Sequence, residues 1–193
     1  MNWLAHLFLS EPSPAFRIGN LLPDMARPSE LSHLPAEFLR GVHQHRRIDA
    51  FTDSHPIVRR SIVRVGPEFR RFGGIFVDIF YDHFLSREWA TLSNTSLTDF
   101  TKEIYASFER HRREIPAEAY VALEKMKSEN WLCSYGDFHG VATTLGRIGL
   151  RLRRPISLAE GAAILEADYA GFHSDFREFF PELMSHVRTI AFV

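Results

Sequence analysis

The sequence predicts an all-α fold, a single helical domain over residues 1–193, from three observations. Apolar residues recur at helical spacing along most of the chain. Strand signals are scarce, with no hairpin dipeptide between alternating apolar runs. No repeat, low-complexity tract or long linker divides a length that suits one domain with a sizeable core. A composition 45% hydrophobic and 13% aromatic rules against disorder.

The spacing predicts helices over 2–9, 14–21, 36–52, 55–65, 67–91, 97–113, 116–129, 134–148, 157–170 and 172–189. The first, in "MNWLAHLFLS", is not a secretion signal: it lacks a basic start, carries His6 within the apolar run, and is followed by "EPSP". Gly19 and Asn20 read as the end of the second helix, with Asp24 after Pro23 in an apolar loop. "TDSHP" reads as a turn in which Asp53 or Ser54 caps the helix that Pro56 opens. Ser96 marks the start of "LTDFTKEIYASFERH", and Ser157 stands three residues before Glu160 in the manner of a capping box.

One cysteine, Cys133, excludes an internal disulfide framework and a Cys-based zinc site, and fits a reducing cytoplasm. No stretch approaches the ~18–20 apolar residues of a membrane span. The net charge of −1 provides no global field for nucleic acid or membrane. Of 23 basic residues only Lys102, Lys125 and Lys127 are lysine. Arginine grips phosphate or carboxylate bidentately, although a GC-rich genome also enriches it.

Chemistry concentrates in "GVHQHRRIDAFTDSHPIVRR", residues 41–60. On a helix, His45, Asp49 and Asp53 fall at i, i+4 and i+8 on one stripe, with Arg46 on its flank. An imidazole and a carboxylate one turn apart can bind the same cation; the alternative is an exposed His–Asp pair and a capping aspartate. "GGIFVDIFYDHFLSREW", residues 73–89, is apolar nearly all round and therefore buried if helical. It nevertheless carries Asp78 and Asp82 one turn apart, with His83 next. Two buried carboxylates need an arginine, a proton or a divalent cation. His6 alone reads as a hydrogen-bonded core histidine or a site residue. Asp24, His45, Asp49, Asp78 and Asp82 make an N/O ligand set without sulfur, suited to Mn²⁺, Fe²⁺, Mg²⁺ or Zn²⁺.

"MNWLAHLFLS", "GNLLPDMAR", "GVHQHRRIDAFTDSHP" and "DIFYDHFLSREW", in this order, resemble the acyl carrier protein (ACP) phosphodiesterases, or holo-ACP hydrolases. The resemblance is strongest over residues 1–90 and weakens after about residue 130. It implies an all-α fold distantly like the HD phosphohydrolases. It also implies a Mn²⁺-dependent hydrolase that removes 4′-phosphopantetheine from holo-ACP, and it carries over His6, Asp24, His45, Arg46, Asp49, Asp53, Asp78, Asp82 and His83. The chain has "DH" at Asp82–His83 and no "HD", so ordinary HD ligand assignments do not transfer.

On this reading Asp24, His45, Asp49, Asp78 and Asp82 hold metal. Arg46 binds a phosphate oxygen, His83 protonates the departing serine oxygen, and Asp53 and His6 complete the catalytic set. Holo-ACP, an acidic protein, is expected to dock on arginines: Arg59, Arg60, Arg64, Arg70 and Arg71, with Arg151, Arg153 and Arg154 as a second cluster. A phosphohydrolase of a nucleotide or other small phosphoester, and a non-catalytic helical binder of ACP or RNA, are the competing functions. Beyond residue 97, Asp137, His139, Asp168 and His173 read as structural, and Phe179–Phe180 as core, tunnel lining or dimer contact.

Overall fold

A computed structural model describes residues 1–152 and 157–190. Every regular element among them is helical: α1 (Trp3–Phe8), α2 (Pro14–Leu21), α3 (Pro28–Leu31), α4 (Ala36–Ser54), α5 (Pro56–Arg64), α6 (Gly73–Arg87), α7 (Trp89–Leu92), α8 (Leu97–Arg110), α9 (Ala117–Ser128), α10 (Trp131–Ser134), α11 (Phe138–Arg151), α12 (Gly161–Ala167) and α13 (Tyr169–Ile190). Short 3-10 turns lie at Leu22–Asp24 and Arg70–Phe72. The fold is all-α, as the periodicity predicts.

Local chemistry sets the boundaries. The Ser96 hydroxyl accepts the Asp99 N–H at 3.1 Å and starts α8, as expected. Neither Asp53 nor Ser54 caps α5: both lie within α4, and the His55 ring accepts from the Ile57 N–H at 3.4 Å. The single helix expected over 67–91 is interrupted. After the expected break, where Gly66 takes a positive φ of 91°, a 3-10 turn at Arg70–Phe72 delays α6 to Gly73, and α6 ends at Arg87 before α7. The helix expected at 134–148 is two, parted where Asp137 turns extended and accepts the Gly140 N–H at 2.8 Å. Ser157 opens no helix, since α12 starts at Gly161.

The aromatic helix α6 runs through the centre. Its Phe76, Phe80 and Phe84 are fully buried, and α1, α5, α11 and α13 pack around it. Phe179 and Phe180 of α13 join this core and ring contacts with Phe51 and Phe8, so they are packing residues. An unforeseen buried carboxylate, Asp175, ties α13 to α5: it accepts from Arg60 Nε at 2.7 Å, Arg64 Nε at 2.8 Å and Ser61 Oγ at 2.8 Å.

The crossing of α2 on α4 positions the site. A Cβ on Gly19 would overlap the Phe38 carbonyl, and one on Gly41 the Phe16 carbonyl. With glycine at both places the two backbones touch, and Asn20 lies directly beneath α4. Gly19 and Asn20 thus stand in the last turn of α2, which ends at Leu21 as expected, and also form its contact with α4.

Candidate metal centre

Two imidazoles converge on one carboxylate. His6 from α1 and His45 from α4 stack at 4.1 Å between ring centroids, both buried. His45 Nδ1–H donates to the Asn20 carbonyl at 2.8 Å, leaving Nε2 to face Asp49 Oδ2 at 3.0 Å. The Asn20 amide nitrogen donates to Gln44 Oε1 and Ser10 Oγ, each at 2.8 Å, and stands 3.0 Å from the His6 carbonyl. Its Oδ1 therefore accepts from His6 Nδ1–H at 3.1 Å. His6 Nε2 then lies 3.2 Å from Asp49 Oδ1 and 3.2 Å from the Met1 carbonyl. With both Nδ1 protons committed, two ring lone pairs point at a carboxylate. Acceptors cannot satisfy acceptors, so the arrangement calls for a proton or a cation.

Of the two rings, His45 is the one that more readily takes a proton. Burial alone would lower His45, but Asp49 and then Asp24 raise it above the usual imidazole range. Burial lowers His6, reinforced by His45 beside it. Burial alone would also raise Asp49, yet the bonds to His45 and His6 hold it far below the usual carboxylate range. The ligand atoms of His6, His45 and Asp49 all lie within 4.8 Å of one another, close enough to hold one metal ion.

Other carboxylates ring this trio. The 3-10 turn after α2 brings Asp24 Oδ1 to 3.6 Å from His45 Nε2, while Trp3 Nε1–H holds Asp24 Oδ2 at 3.0 Å. Asp78 of α6 lies 3.2 Å from the Met1 α-amino nitrogen, which stands 3.4 Å from Asp49. Burial would lower that amine, but Asp78 and Asp49 push it up to about 10. Burial in turn raises Asp78 above the usual carboxylate range, aided by Asp49 and Asp53 and opposed by the amine. Asp24, Asp49, Asp53 and Asp78 share a cavity of about 260 Å³ with Asn2 and the apolar walls Ile75, Ile79 and Ile148.

Three predicted residues point elsewhere. Asp82 is fully buried, and its oxygens accept the N–H groups of Leu4 at 2.8 Å and Ala5 at 3.0 Å. It anchors the first turn of α1, for which Asn2 provides no side-chain cap. His83 donates Nδ1–H to the Tyr135 carbonyl at 2.8 Å and faces the Tyr169 hydroxyl at 3.2 Å. It lines a separate cavity of about 460 Å³ with Arg87, Phe138 and Tyr169. Arg46 is exposed on α4.

Of the expected docking arginines, Arg60 and Arg64 are tied to Asp175, Glu178 and Asp168. Arg59, Arg70 and Arg71 are exposed, with no carboxylate within 4.0 Å among the described residues. The second cluster, Arg151, Arg153 and Arg154, falls outside the described side chains. Asn20, Gln44 and Trp3, which orient the centre, were not singled out as site residues. Their one sequence signal is polar or N–H-bearing side chains placed among apolar neighbours.

The fold and site define an all-helical domain with an imidazole–carboxylate centre. A family model described as Acyl carrier protein phosphodiesterase matches residues 1–183. Curated relatives bearing that name include proteins of Yersinia pestis, 31% identical over 95% of this chain and 96% of the relative, and of Escherichia coli O157:H7, 33% identical over 96% of each. A third, from Photorhabdus laumondii, is 32% identical over 95% of this chain and 93% of its own. No solved structure matches significantly. The chain belongs to the acyl carrier protein phosphodiesterase family.

Proposed function

We propose that this protein hydrolyses the phosphodiester of holo-ACP, releasing 4′-phosphopantetheine and regenerating apo-ACP, at a divalent metal centre built on His6, His45 and Asp49. The observation that carries the metal reading is the convergence of His6 Nε2 and His45 Nε2 on one carboxylate with both Nδ1 protons already donated. Asp24 and Asp78 stand beside that trio as further ligands or as groups that fix it. The N/O donor set fits Mn²⁺, which the family resemblance implies, and equally Mg²⁺, Fe²⁺ or Zn²⁺. Such an ion supplies Lewis-acid polarisation of a phosphoryl oxygen and makes water more acidic.

The chain's own residues do the rest. Asn20 fixes both rings through its side chain and carbonyl, so the donors are preorganised. Asp53 is exposed and lines the cavity, placed to take or return a proton beside the reacting phosphate. His83 and Arg46, expected to act on the leaving group and phosphate, are left out of this site because His83 is bonded to Tyr169 and Arg46 lies on the solvent face.

Arg70 and Arg71, exposed and without a carboxylate partner among the described residues, precede the cavity residue Ile75 and form the docking surface for the acidic carrier protein. If so, the KM for holo-ACP rises between low and physiological salt; an unchanged KM contradicts the docking surface. The action on a carrier protein and the single cysteine are in keeping with a cytoplasmic location; no helix among the described residues is long and apolar enough to cross a membrane.

The direct experiment incubates holo-ACP with the protein and Mn²⁺, with and without chelator, and reads the carrier's mass. Loss of the phosphopantetheine arm only with metal is expected. Loss unaffected by chelator contradicts the metal reading, and no loss under either condition contradicts the hydrolase.

A further inference from the structure

The catalytic cavity is acidic on its floor and apolar on one wall, and that wall continues. Ile148 lines both the cavity and a narrow neighbouring cleft formed with Trp3, Trp131, Thr144 and Arg147. Trp3, hydrogen-bonded to Asp24 at 3.0 Å, bridges the two spaces. Thr144, Arg147 and Ile148 fall at i, i+3 and i+4 on one face of α11. Trp3 and Trp131 stack at 5.4 Å, with the Arg147 guanidinium 4.9 Å from the Trp131 ring centroid, so the cleft has an aromatic border with a cation beside it.

Within this cleft one hydroxyl is orphaned. Thr144 is 4% exposed, and its Oγ1 has no hydrogen-bond partner among the described residues. A helical threonine can return its hydroxyl to the carbonyl one turn back, as Thr52 does to Ile48 at 2.8 Å. Thr144 does not. A buried hydroxyl left unpaired destabilises the free protein, so its partner is to be sought among what the cleft receives. The cleft itself has room for about one water, ≈ 10 Å³, which suits a single group of a thin chain.

We propose that Thr144, with Ile148 and the Trp3–Trp131 stack, forms the subsite for the amide-bearing arm of the substrate, an inference that rests on the holo-ACP reading above. The 4′-phosphopantetheine arm alternates short aliphatic segments with two secondary amides. A hydroxyl can accept from an amide N–H or donate to an amide carbonyl, and the isoleucine wall of the larger cavity covers the methylenes. A phosphate held beside Asp49 leaves the arm against the wall that Ile148 carries into this cleft. The subsite thus reads the arm, whereas the acidic floor would hold the cation that polarises the phosphate.

The test is the isosteric substitution Thr144→Val, with Thr144→Ser as the rescue. Since the hydroxyl has no partner among the described residues, T144V should melt at or above the wild-type temperature. In the metal-loaded enzyme its KM for holo-ACP should rise about three- to tenfold with kcat within about twofold, and T144S should restore the wild-type KM. Product 4′-phosphopantetheine should inhibit T144V correspondingly less. A T144V enzyme with unchanged KM and product inhibition overturns the subsite, leaving the cleft to a water molecule. A T144V that melts well below wild type overturns the premise that the hydroxyl is unpaired. Wild type that leaves holo-ACP intact overturns the reading beneath the subsite as well as the subsite.

Discussion

Two buried imidazoles in this fold begin alike and end differently. His45 and His83 each donate Nδ1–H to a backbone carbonyl at 2.8 Å, Asn20 for one and Tyr135 for the other. His45 Nε2 then meets the Asp49 carboxylate, an acceptor, while His83 Nε2 meets the Tyr169 hydroxyl, which can donate. His83 is therefore satisfied within the protein, whereas His45, doubled by His6 on the same carboxylate, requires something positive between the acceptors. What lies opposite Nε2, more than burial or sequence neighbours, separates a core histidine from a candidate ligand.

The largest expected effect comes from breaking the unsatisfied side of that comparison. Asp49→Asn keeps the shape but removes the charge that both rings face. Turnover of holo-ACP should fall at least about a thousandfold, equivalent to roughly 4 kcal/mol of transition-state stabilisation, with helix content retained by circular dichroism. A tenfold loss or less would place the chemistry elsewhere. Next in size, Asn20→Ala frees the His6 ring while sparing the carbonyl that holds His45. The apparent metal affinity, read by titrating activity with Mn²⁺, should weaken about 10–100-fold.

The satisfied side gives a smaller response. His83→Gln should change kcat by less than about threefold and cost about 1 kcal/mol of stability in urea, the scale of one buried hydrogen bond. A hundredfold fall in kcat would restore the leaving-group role that its place beside Asp82 suggests.

The last comparison, read in stability and not in turnover, concerns Asp82. Burial pushes its carboxyl up to about 7, against the N–H bonds of Leu4 and Ala5 that favour the charged form. An unfolded aspartate titrates near ~3.9, so the folded chain holds an extra proton between the two values. Its contribution to stability is full below about pH 4 and is lost as pH rises through about 7. Asp82→Asn, which cannot ionise, should lose less stability than wild type between pH 5 and pH 8 in urea denaturation of the metal-free protein; an equal slope would show that Asp82 ionises freely.

How far the sequence reaches follows from these same residues. The helices were legible because apolar periodicity is a local property, and the His45–Asp49 spacing was legible because one helical turn fixes it. Pairing Asp78 with Asp82 by the same rule was less informative. The two sit one turn apart on α6, yet one faces the Met1 amine and the other the amides of α1, and only tertiary packing decides that. The convergence of His6 on His45 depends on α2 crossing α4 at Gly19 and Gly41, a contact across about twenty residues of sequence that no local pattern displays. The break at Gly66 was legible, since the expected helices stop at 65 and resume at 67; the late start of α6 at Gly73 and its end before Trp89 were not, because the long apolar run obscured them.

The central claim, a divalent cation between His6, His45 and Asp49, is tested most directly by titrating metal-free protein with Mn²⁺ and following the paramagnetic signal of the free ion. The expected result is uptake by wild type that saturates with at least one ion per chain and is lost in Asp49→Asn. No uptake at millimolar Mn²⁺, or equal uptake by the two proteins, would contradict it.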